Sequence, residues 1–130
     1  MAQRAKPKKG KKAPMPKWRP APRQLVERFE KSMGALTGGE LRKMFGYPAG
    51  FRNGNMFAGV FQSSLFVRLP EDERANILSQ PGAVPFNHMP GRVMKEYVVL
   101  HKAVVASESA LEQWLAKGLA YAERLPPKNR

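Results

Sequence analysis

Histidines are the first side chains in this sequence that could bind a metal or transfer a proton near neutral pH. His88 lies near a predicted turn and His101 at the end of a predicted strand, and the two have no paired spacing. The chain contains no cysteine, which excludes disulfides, thiolate zinc sites and cysteine nucleophiles. Both histidines are therefore interpreted as surface residues, and no metal site is predicted.

Carboxylates and hydroxyls offer a second kind of chemistry. Glu71, Asp72 and Glu73 could act as acids or bases, but they sit at a predicted helix start. Negative side chains there stabilise the positive end of the helix dipole. Ser63 and Ser64 lack the strand–turn–helix context of a catalytic serine, and no phosphate-binding glycine motif is present. The sequence therefore predicts a protein that is not an enzyme and needs no cofactor.

Aromatic and basic side chains share one face of the predicted sheet, because side chains alternate along a strand. Such a face suits a protein partner or the stacking of nucleic-acid bases. Alternatively, the terminal helix or a long loop covers it, with the basic groups at its edge. The candidate partner face consists of Phe57, Phe61, Phe66, Arg68, Lys95 and Tyr97. The opposite face, expected beneath the helices, consists of Met56, Ala58, Val60, Leu65, Val67, Leu69, Val98 and Leu100.

Positive charge is concentrated at the N-terminus. Residues 1–23 hold nine Lys and Arg and no acid, so +9 of the formal net charge of +13 lies there. Because proline is frequent and like charges repel, residues 1–21 are predicted to be a disordered basic arm. Such an arm neutralises nucleic-acid phosphates without sequence specificity, and the alternative is a solubilising extension. Its densest cluster is Lys6, Lys8, Lys9, Lys11 and Lys12.

Hydrophobic spacing and turn residues predict the elements that position these side chains. A helix begins near Pro22, since the first turn of a helix needs no N–H donor. Asn53-Gly54 predicts a tight hairpin, because a type I′ turn needs positive φ at both central residues. Tyr47-Pro48 interrupts the first strand, since proline cannot donate to a ladder. The predicted helices cover 22–33, 70–80 and 107–125, and the strands cover 41–45 with 50–52, 55–61, 65–69, 84–88 and 94–100.

The order helix, three strands, helix, two strands, helix predicts an α+β domain with an antiparallel sheet. We expect this domain to span residues 22–127, with a short tail at 128–130. No apolar run is long enough to cross a membrane, and the N-terminus lacks the apolar segment of a secretory signal. A cytoplasmic location is therefore expected.

Several short motifs resemble the N-terminal domain of the TfoX/Sxy family of competence regulators. They are Arg42-Lys43-Met44-Phe45-Gly46, Asn53-Gly54, Met56-Phe57-Ala58 and the strand from Met94 to Leu100. The resemblance implies a stand-alone, single-domain relative with a two-layer α/β sandwich like that of secretion chaperones. The family's best-known members act with the cyclic-AMP receptor protein to switch on genes for DNA uptake. A regulatory role is the function that this resemblance implies.

Three functions follow as hypotheses. The first is a non-enzymatic regulatory or adaptor module with a protein partner, such as a transcription factor, and an arm that binds nucleic acid non-specifically. The second is direct RNA or DNA binding through the aromatic and basic sheet face. The third is an enzyme with an unrecognised site, which a deep pocket with converging polar groups would indicate. The oligomeric state is left open between a monomer and a homodimer.

Overall fold

A computed structural model describes residues 20–44, 46–86 and 96–127 of the chain. They form an antiparallel sheet and a layer of helices, which confirms the predicted α+β class. Apart from Pro20 and Ala21, the predicted arm lies outside the described residues, as do Lys95, His88 and the tail at 128–130. The elements in chain order are α1 (Arg23–Gly34), β1 (Glu40–Met44), β2 (Tyr47–Arg52), β3 (Asn55–Phe61), β4 (Ser64–Arg68), α2 (Glu71–Leu78), β5 (Val84–Pro85), β6 (Tyr97–Val99), α3 (Lys102–Ala106) and α4 (Glu108–Arg124).

The six strands lie in the order β1-β2-β3-β4-β6-β5, and every neighbouring pair is antiparallel. Helix α4 lies against β2, β3 and β4 and also packs on α1. Its apolar spacing predicts one buried stripe, and that stripe is observed. The buried residues of α4 are Leu111, Trp114, Leu115, Gly118, Leu119 and Ala122. Among the described helices, none is long and apolar enough to cross a membrane.

The first predicted strand is two strands, so the prediction of three strands before α2 was wrong. Met44 of β1 pairs with Tyr47 of β2, and the two strands run antiparallel. Gly46 has a φ of 84°, which glycine adopts readily. The prediction took Pro48 as a break, but the pairing of β2 with β3 begins only at Ala49. Pro48 therefore pairs with Lys43 of β1 and lies just outside the paired residues of β2 and β3.

The Asn53-Gly54 hairpin is confirmed. The two residues have φ values of 54° and 80°, as a type I′ turn requires, and they join the paired residues Arg52 and Asn55. Asn55 is buried, and its side-chain amide donates a hydrogen bond to the Pro126 carbonyl at 3.0 Å. The turn therefore also positions the contact that holds the end of α4 against the sheet.

Replacing the turn glycine tests this geometry. Gly54→Val should lower the free energy of unfolding by about 1–3 kcal/mol, because a β-branched residue is strained at positive φ. Urea melts of the variant and the wild type measure the difference. Gly54→Asn is the matched control, and its free energy of unfolding should fall much less, since asparagine tolerates the left-handed region. A valine variant as stable as the wild type would contradict the tight turn.

A β-bulge in β3 changes which side chains face the helices. Gly50 pairs with Ala58 and Phe51 with Met56, so β3 has one residue more than β2 in this interval. The alternation of side chains shifts by one residue at that point. Phe57 is consequently buried in the core between sheet and helices, and Met56 faces the opposite side of the sheet. The predicted faces were wrong at these two positions, because regular alternation assumes a strand without a bulge.

Two helices, rather than the predicted single one, end the fold. Ser107 caps α4, and its hydroxyl accepts a hydrogen bond from the Ala110 N–H at 3.3 Å. Before it lies the short α3, whose cap is His101. The Nδ1 atom of His101 accepts a hydrogen bond from the Ala103 N–H at 2.9 Å. This histidine is exposed, as predicted, and its position is explained by the cap.

Candidate functional site

The sheet face opposite the helices carries a hydrophobic group that we call the second-face cluster. The rings of Phe66 and Phe86 stack with centroids 4.4 Å apart and planes 9° apart. Phe66 is 1% exposed and Tyr97 is 9% exposed. Because Phe86 already covers Phe66, that ring offers no free face on which a base could stack. The cluster consists of Ala49, Phe51, Met56, Phe66, Phe86 and Tyr97, with Met44, Phe61 and Val99 at its margin.

The candidate partner face is thus divided between two sides of the sheet and is largely covered. Phe57 lies on the helix side and has no exposed surface. Phe61 is half-buried, with its ring centroid 5.7 Å from that of Phe86. The Tyr97 hydroxyl donates a hydrogen bond to the Met56 carbonyl at 2.8 Å. Of the two interpretations of this face, the structure favours the one in which it is covered.

A charged cluster joins the end of β4 to the residue before β6 and to α4. Arg68 Nη2 lies 2.6 Å from Glu96 Oε1, and Arg68 Nε donates to the same oxygen at 2.7 Å. The Tyr121 hydroxyl donates to Glu96 Oε2 at 2.7 Å. The Arg68 guanidinium also lies 5.5 Å from the ring centroid of Tyr97 and 5.8 Å from that of Tyr121. Both carboxylate oxygens of Glu96 therefore accept hydrogen bonds, one from Arg68 and the other from Tyr121. These bonds connect α4 to the sheet.

Sequence reasoning missed two members of this cluster. Arg68 was placed on the candidate partner face, but Glu96 and Tyr121 were not identified. Glu96 lies 28 residues after Arg68 in the sequence, and Tyr121 lies 25 residues after Glu96, so no local spacing connects them. Only the register of the sheet, which pairs Arg68 with Tyr97, brings the arginine beside Glu96.

The cluster shifts two pKa values in opposite directions. Burial alone would raise the pKa of the Glu96 carboxyl. The hydrogen bonds from Tyr121 and Arg68, with the charges of Arg68 and Arg74, outweigh burial and hold that pKa below its ordinary value of 4.5. Burial, and then the bond to the Glu96 carboxylate, raise the pKa of Tyr121 above its ordinary value of 10.0. The bond therefore needs an ionised Glu96 and a protonated Tyr121.

This bond should make folding stability fall at both ends of the pH range. Because the pKa of Glu96 is lower in the folded state, its contribution is present above pH 4.5 and is lost as the pH falls below that value. Because the pKa of Tyr121 is raised, its contribution is present below pH 10.0 and is lost as the pH rises further. Tyr121→Phe should flatten both flanks of a plot of Tm against pH, and Glu96→Gln should flatten the acid flank most. Flanks unchanged in both variants would contradict this account.

A cleft of about 550 Å³ lies where α1, the β3–β4 turn, the end of β6 and α3 meet. Arg28, His101 and Lys102 contribute basic side chains, and no Asp or Glu lines it. Its volume is that of a small-molecule site, which the enzyme hypothesis requires. The Nδ1 atom of His101 is occupied by the cap of α3, so it cannot serve as a general base there. The hydroxyls of Ser63 and Ser64 line the same cleft without a hydrogen-bonded base among its described residues.

The described residues hold no cluster of metal ligands. In the ranges 20–44, 46–86 and 96–127, no three His, Asp or Glu side chains lie close enough to hold a metal ion. The acidic run Glu71, Asp72 and Glu73 occupies the first turn of α2, as its position after proline predicted. Its role there is to stabilise the helix start.

Comparison with known families identifies the domain. No curated protein matches the sequence. The family model of the TfoX N-terminal domain matches residues 31–122. This span runs from the last turn of α1 into the last turn of α4 and includes all six strands of the described sheet. Because the match covers more than half of the chain, this protein belongs to the family of the TfoX N-terminal domain.

Proposed function

We propose that this protein is a non-enzymatic regulatory or adaptor module of the cytoplasm whose N-terminal arm binds nucleic acid without sequence specificity. Membership of the TfoX N-terminal domain family, which is non-catalytic, supports the first part of the proposal. By analogy with the competence regulators that the motifs resemble, its protein partner is a transcription factor. The partition of charge along the chain supports the second part.

That partition is the observation that carries the nucleic-acid proposal. All ten Asp and Glu residues lie within the described ranges, together with eleven of the 23 Lys and Arg residues. The described part of the chain is therefore almost neutral. Eight Lys and Arg lie in residues 1–19, where there is no acid. Nearly all of the surplus charge that could attract phosphate is thus outside the described domain.

Ion pairs place these acids directly beside the basic side chains of the domain. Six of its eleven basic side chains lie within 4.0 Å of a carboxylate oxygen. Each such pair offsets the positive charge that a phosphate would otherwise meet. The basic members of these pairs are Arg23, Lys31, Arg42, Arg52, Arg68 and Lys117.

Direct reading of nucleic acid by the aromatic sheet face is the weaker alternative. It would need Phe66 and Tyr97 to present their ring faces to bases. Both are buried in the second-face cluster, and Phe66 is already stacked on Phe86. The enzyme alternative has a cleft of suitable size but no assembled catalytic group among its described residues.

Salt dependence of binding tests the proposal. If Lys6, Lys8, Lys9, Lys11 and Lys12 all contact phosphates of duplex DNA, the slope of log affinity against log salt should be roughly −4 to −5. Replacing the five lysines with glutamine should flatten that slope and weaken binding to unrelated oligonucleotides alike. Fluorescence anisotropy at several salt concentrations measures both effects.

A second lysine set provides the matched control. The described domain holds four lysines, whose replacement by glutamine removes a similar amount of charge from the folded surface. This control variant should keep most of the slope if the arm is the binding element. If the arm variant kept its slope while the domain variant lost it, the arm would not be the site. The four control residues are Lys31, Lys43, Lys102 and Lys117.

A further inference from the structure

Strand β1 forms an edge of the sheet that no other described strand covers. It is the outermost strand in the order β1-β2-β3-β4-β6-β5, and Glu40, Leu41, Arg42 and Lys43 are all exposed. Leu41 is 47% exposed, which is high for a leucine in a strand. Within the described residues, the opposite edge strand β5 has two residues, and one of them is Pro85. Of the two edges, β1 is therefore the one that can accept another strand.

The register of the first hairpin shows which groups of β1 point outward. Met44 and Tyr47 are the last paired residues of this hairpin and are separated by two residues in the sequence, and such a closing pair is hydrogen-bonded. Hydrogen-bonded pairs alternate along an antiparallel ladder, so Arg42 and Glu40 also direct their backbone groups toward β2. The backbone N–H and C=O groups of Leu41 and Lys43 consequently point away from the sheet. They are available to a strand that lies alongside β1.

The side chains of β1 are divided between the two faces of the sheet. The Arg42 guanidinium lies 5.1 Å from the ring centroid of Phe51, and Met44 packs at the margin of the second-face cluster. Residues 40, 42 and 44 therefore face that side. Leu41 faces the helix side at the rim of the sheet. Any strand added to β1 meets a charged pair on one face and an exposed leucine on the other.

This pattern is complementary to itself when a second β1 runs antiparallel with Leu41 opposite Leu41. Glu40 then stands opposite Arg42 of the second copy, and Arg42 stands opposite its Glu40, so two opposite-charge pairs form on one face. The two leucines meet on the other face. The outward backbone groups of Leu41 fall at the two-fold axis, where they exchange both hydrogen bonds. Moving the two-fold axis by one residue, from Leu41 to Arg42, shifts the register by two residues and would place Arg42 against Arg42, which is repulsive.

We propose that β1 pairs antiparallel with β1 of a second copy about a two-fold axis at Leu41, forming a symmetric homodimer with one continuous sheet. Within one chain, Arg42 Nε lies 3.1 Å from Glu40 Oε2, and in the dimer this pair is exchanged for the equivalent pairs between chains. The short edge makes this a small interface, so the dimer forms with increasing concentration rather than permanently. Closed two-fold pairing uses up both open edges and leads to no further growth.

Charge reversals on β1 test the proposed register. Glu40→Arg alone places arginine opposite arginine, and Arg42→Glu alone places glutamate opposite glutamate. Each variant of the full chain should be monomeric in sedimentation equilibrium under conditions in which the wild type dimerises. An equimolar mixture of the two should dimerise again, because every facing pair is then of opposite charge. The double variant E40R/R42E should also dimerise by itself.

Controls separate the interface from general charge effects. Samples are treated with nuclease, so that nucleic acid held by the basic chain does not bridge copies. Glu71→Arg makes the same change of charge at the exposed start of α2, a helix that contacts β6, and three strands separate β6 from β1. This variant should leave dimerisation unchanged. A wild type that stays monomeric up to about 1 mM would overturn the proposal. So would dimers that persist in both single variants, since they would use another surface.

Discussion

Phe57→Ala should lower the free energy of unfolding by about 3–5 kcal/mol, the range for truncating a fully buried phenylalanine. Phe57 has no exposed surface and sits at the bulge of β3, inside the core between sheet and helices. Its ring lies within about 3–4 Å of the positions that side chains would occupy at Gly39 and Gly50. Neither neighbour has a side chain that can move into the space left behind. The total free energy of unfolding of a domain of this size is only about 5–15 kcal/mol, so the variant should be close to unfolding.

Urea melts followed by circular dichroism measure this loss. Phe57→Leu keeps most of the volume and should lose less than the alanine variant. Leu41→Ala is the surface control, because Leu41 is 47% exposed and its truncation should change the stability of the isolated chain very little. If Phe57→Ala lost no more than Leu41→Ala, the bulge assignment would be wrong and Phe57 would not be a core residue.

The burial of Phe57 also affects how binding experiments are designed. Alanine substitutions at Phe57, Phe66 and Tyr97 would probe a base-stacking face only if those rings were free. Phe57 and Phe66 are almost fully buried, and Tyr97 is 9% exposed. Loss of nucleic-acid binding in such variants would therefore report unfolding unless stability is measured alongside. Substitutions of lysines remove no buried ring and so avoid this ambiguity, which is why the arm and domain lysine sets are the informative pair.

Local sequence signals predicted the features that depend only on neighbouring residues. Asn53-Gly54 specified its turn because few residue pairs accept positive φ at both positions. The spacing of apolar residues in α4 specified its buried stripe. The acidic residues after Pro70 specified the start of α2. Each of these depends on backbone conformation within a few residues, and so the sequence could reveal it.

Features that depend on pairing between distant segments were not predictable in the same way. The bulge at Met56 and Phe57 exists only relative to β2, and no residue in β3 marks it. The hairpin between β1 and β2 was not predicted, because Pro48 was read as a break in one strand. Whether a proline disrupts a strand depends on where the neighbouring strand, here β3, begins to pair. Glu96 and Tyr121 meet through the register of β6 and the packing of α4. Of the candidate site, the sequence identified the residue types but not which faces they share.

The close approach of α4 to the sheet at Gly118 gives the second large prediction. A Cβ atom built there would lie 2.6 Å from Val67 Cγ2, 3.1 Å from the Phe57 carbonyl oxygen and 3.2 Å from the Arg68 carbonyl oxygen. Val67 is fully buried, and the two carbonyls belong to strands, so none of the three can move aside cheaply. Gly118→Val should therefore lower the free energy of unfolding by about 3 kcal/mol, at the upper end for overpacking. Gly118→Ala should lose less, since alanine is smaller and favours the helix by about 1 kcal/mol over glycine.

Two further variants show whether steric crowding is the cause. Gly34→Ala adds a methyl group to a helical glycine where, apart from its chain neighbours and its own helix backbone, no atom lies within 4 Å of the new Cβ, and it should be neutral or stabilising. Val67→Ala combined with Gly118→Ala should lose less stability than the sum of the two single changes, because removing the valine methyls makes room for the new one. Strict additivity in that cycle, or a Gly118→Val variant as stable as the wild type, would mean that α4 does not lie this close to β4. Thermal and urea melts of these five variants, including Val67→Ala alone, beside the wild type decide the matter, because the double substitution relieves the crowding between Gly118 and Val67.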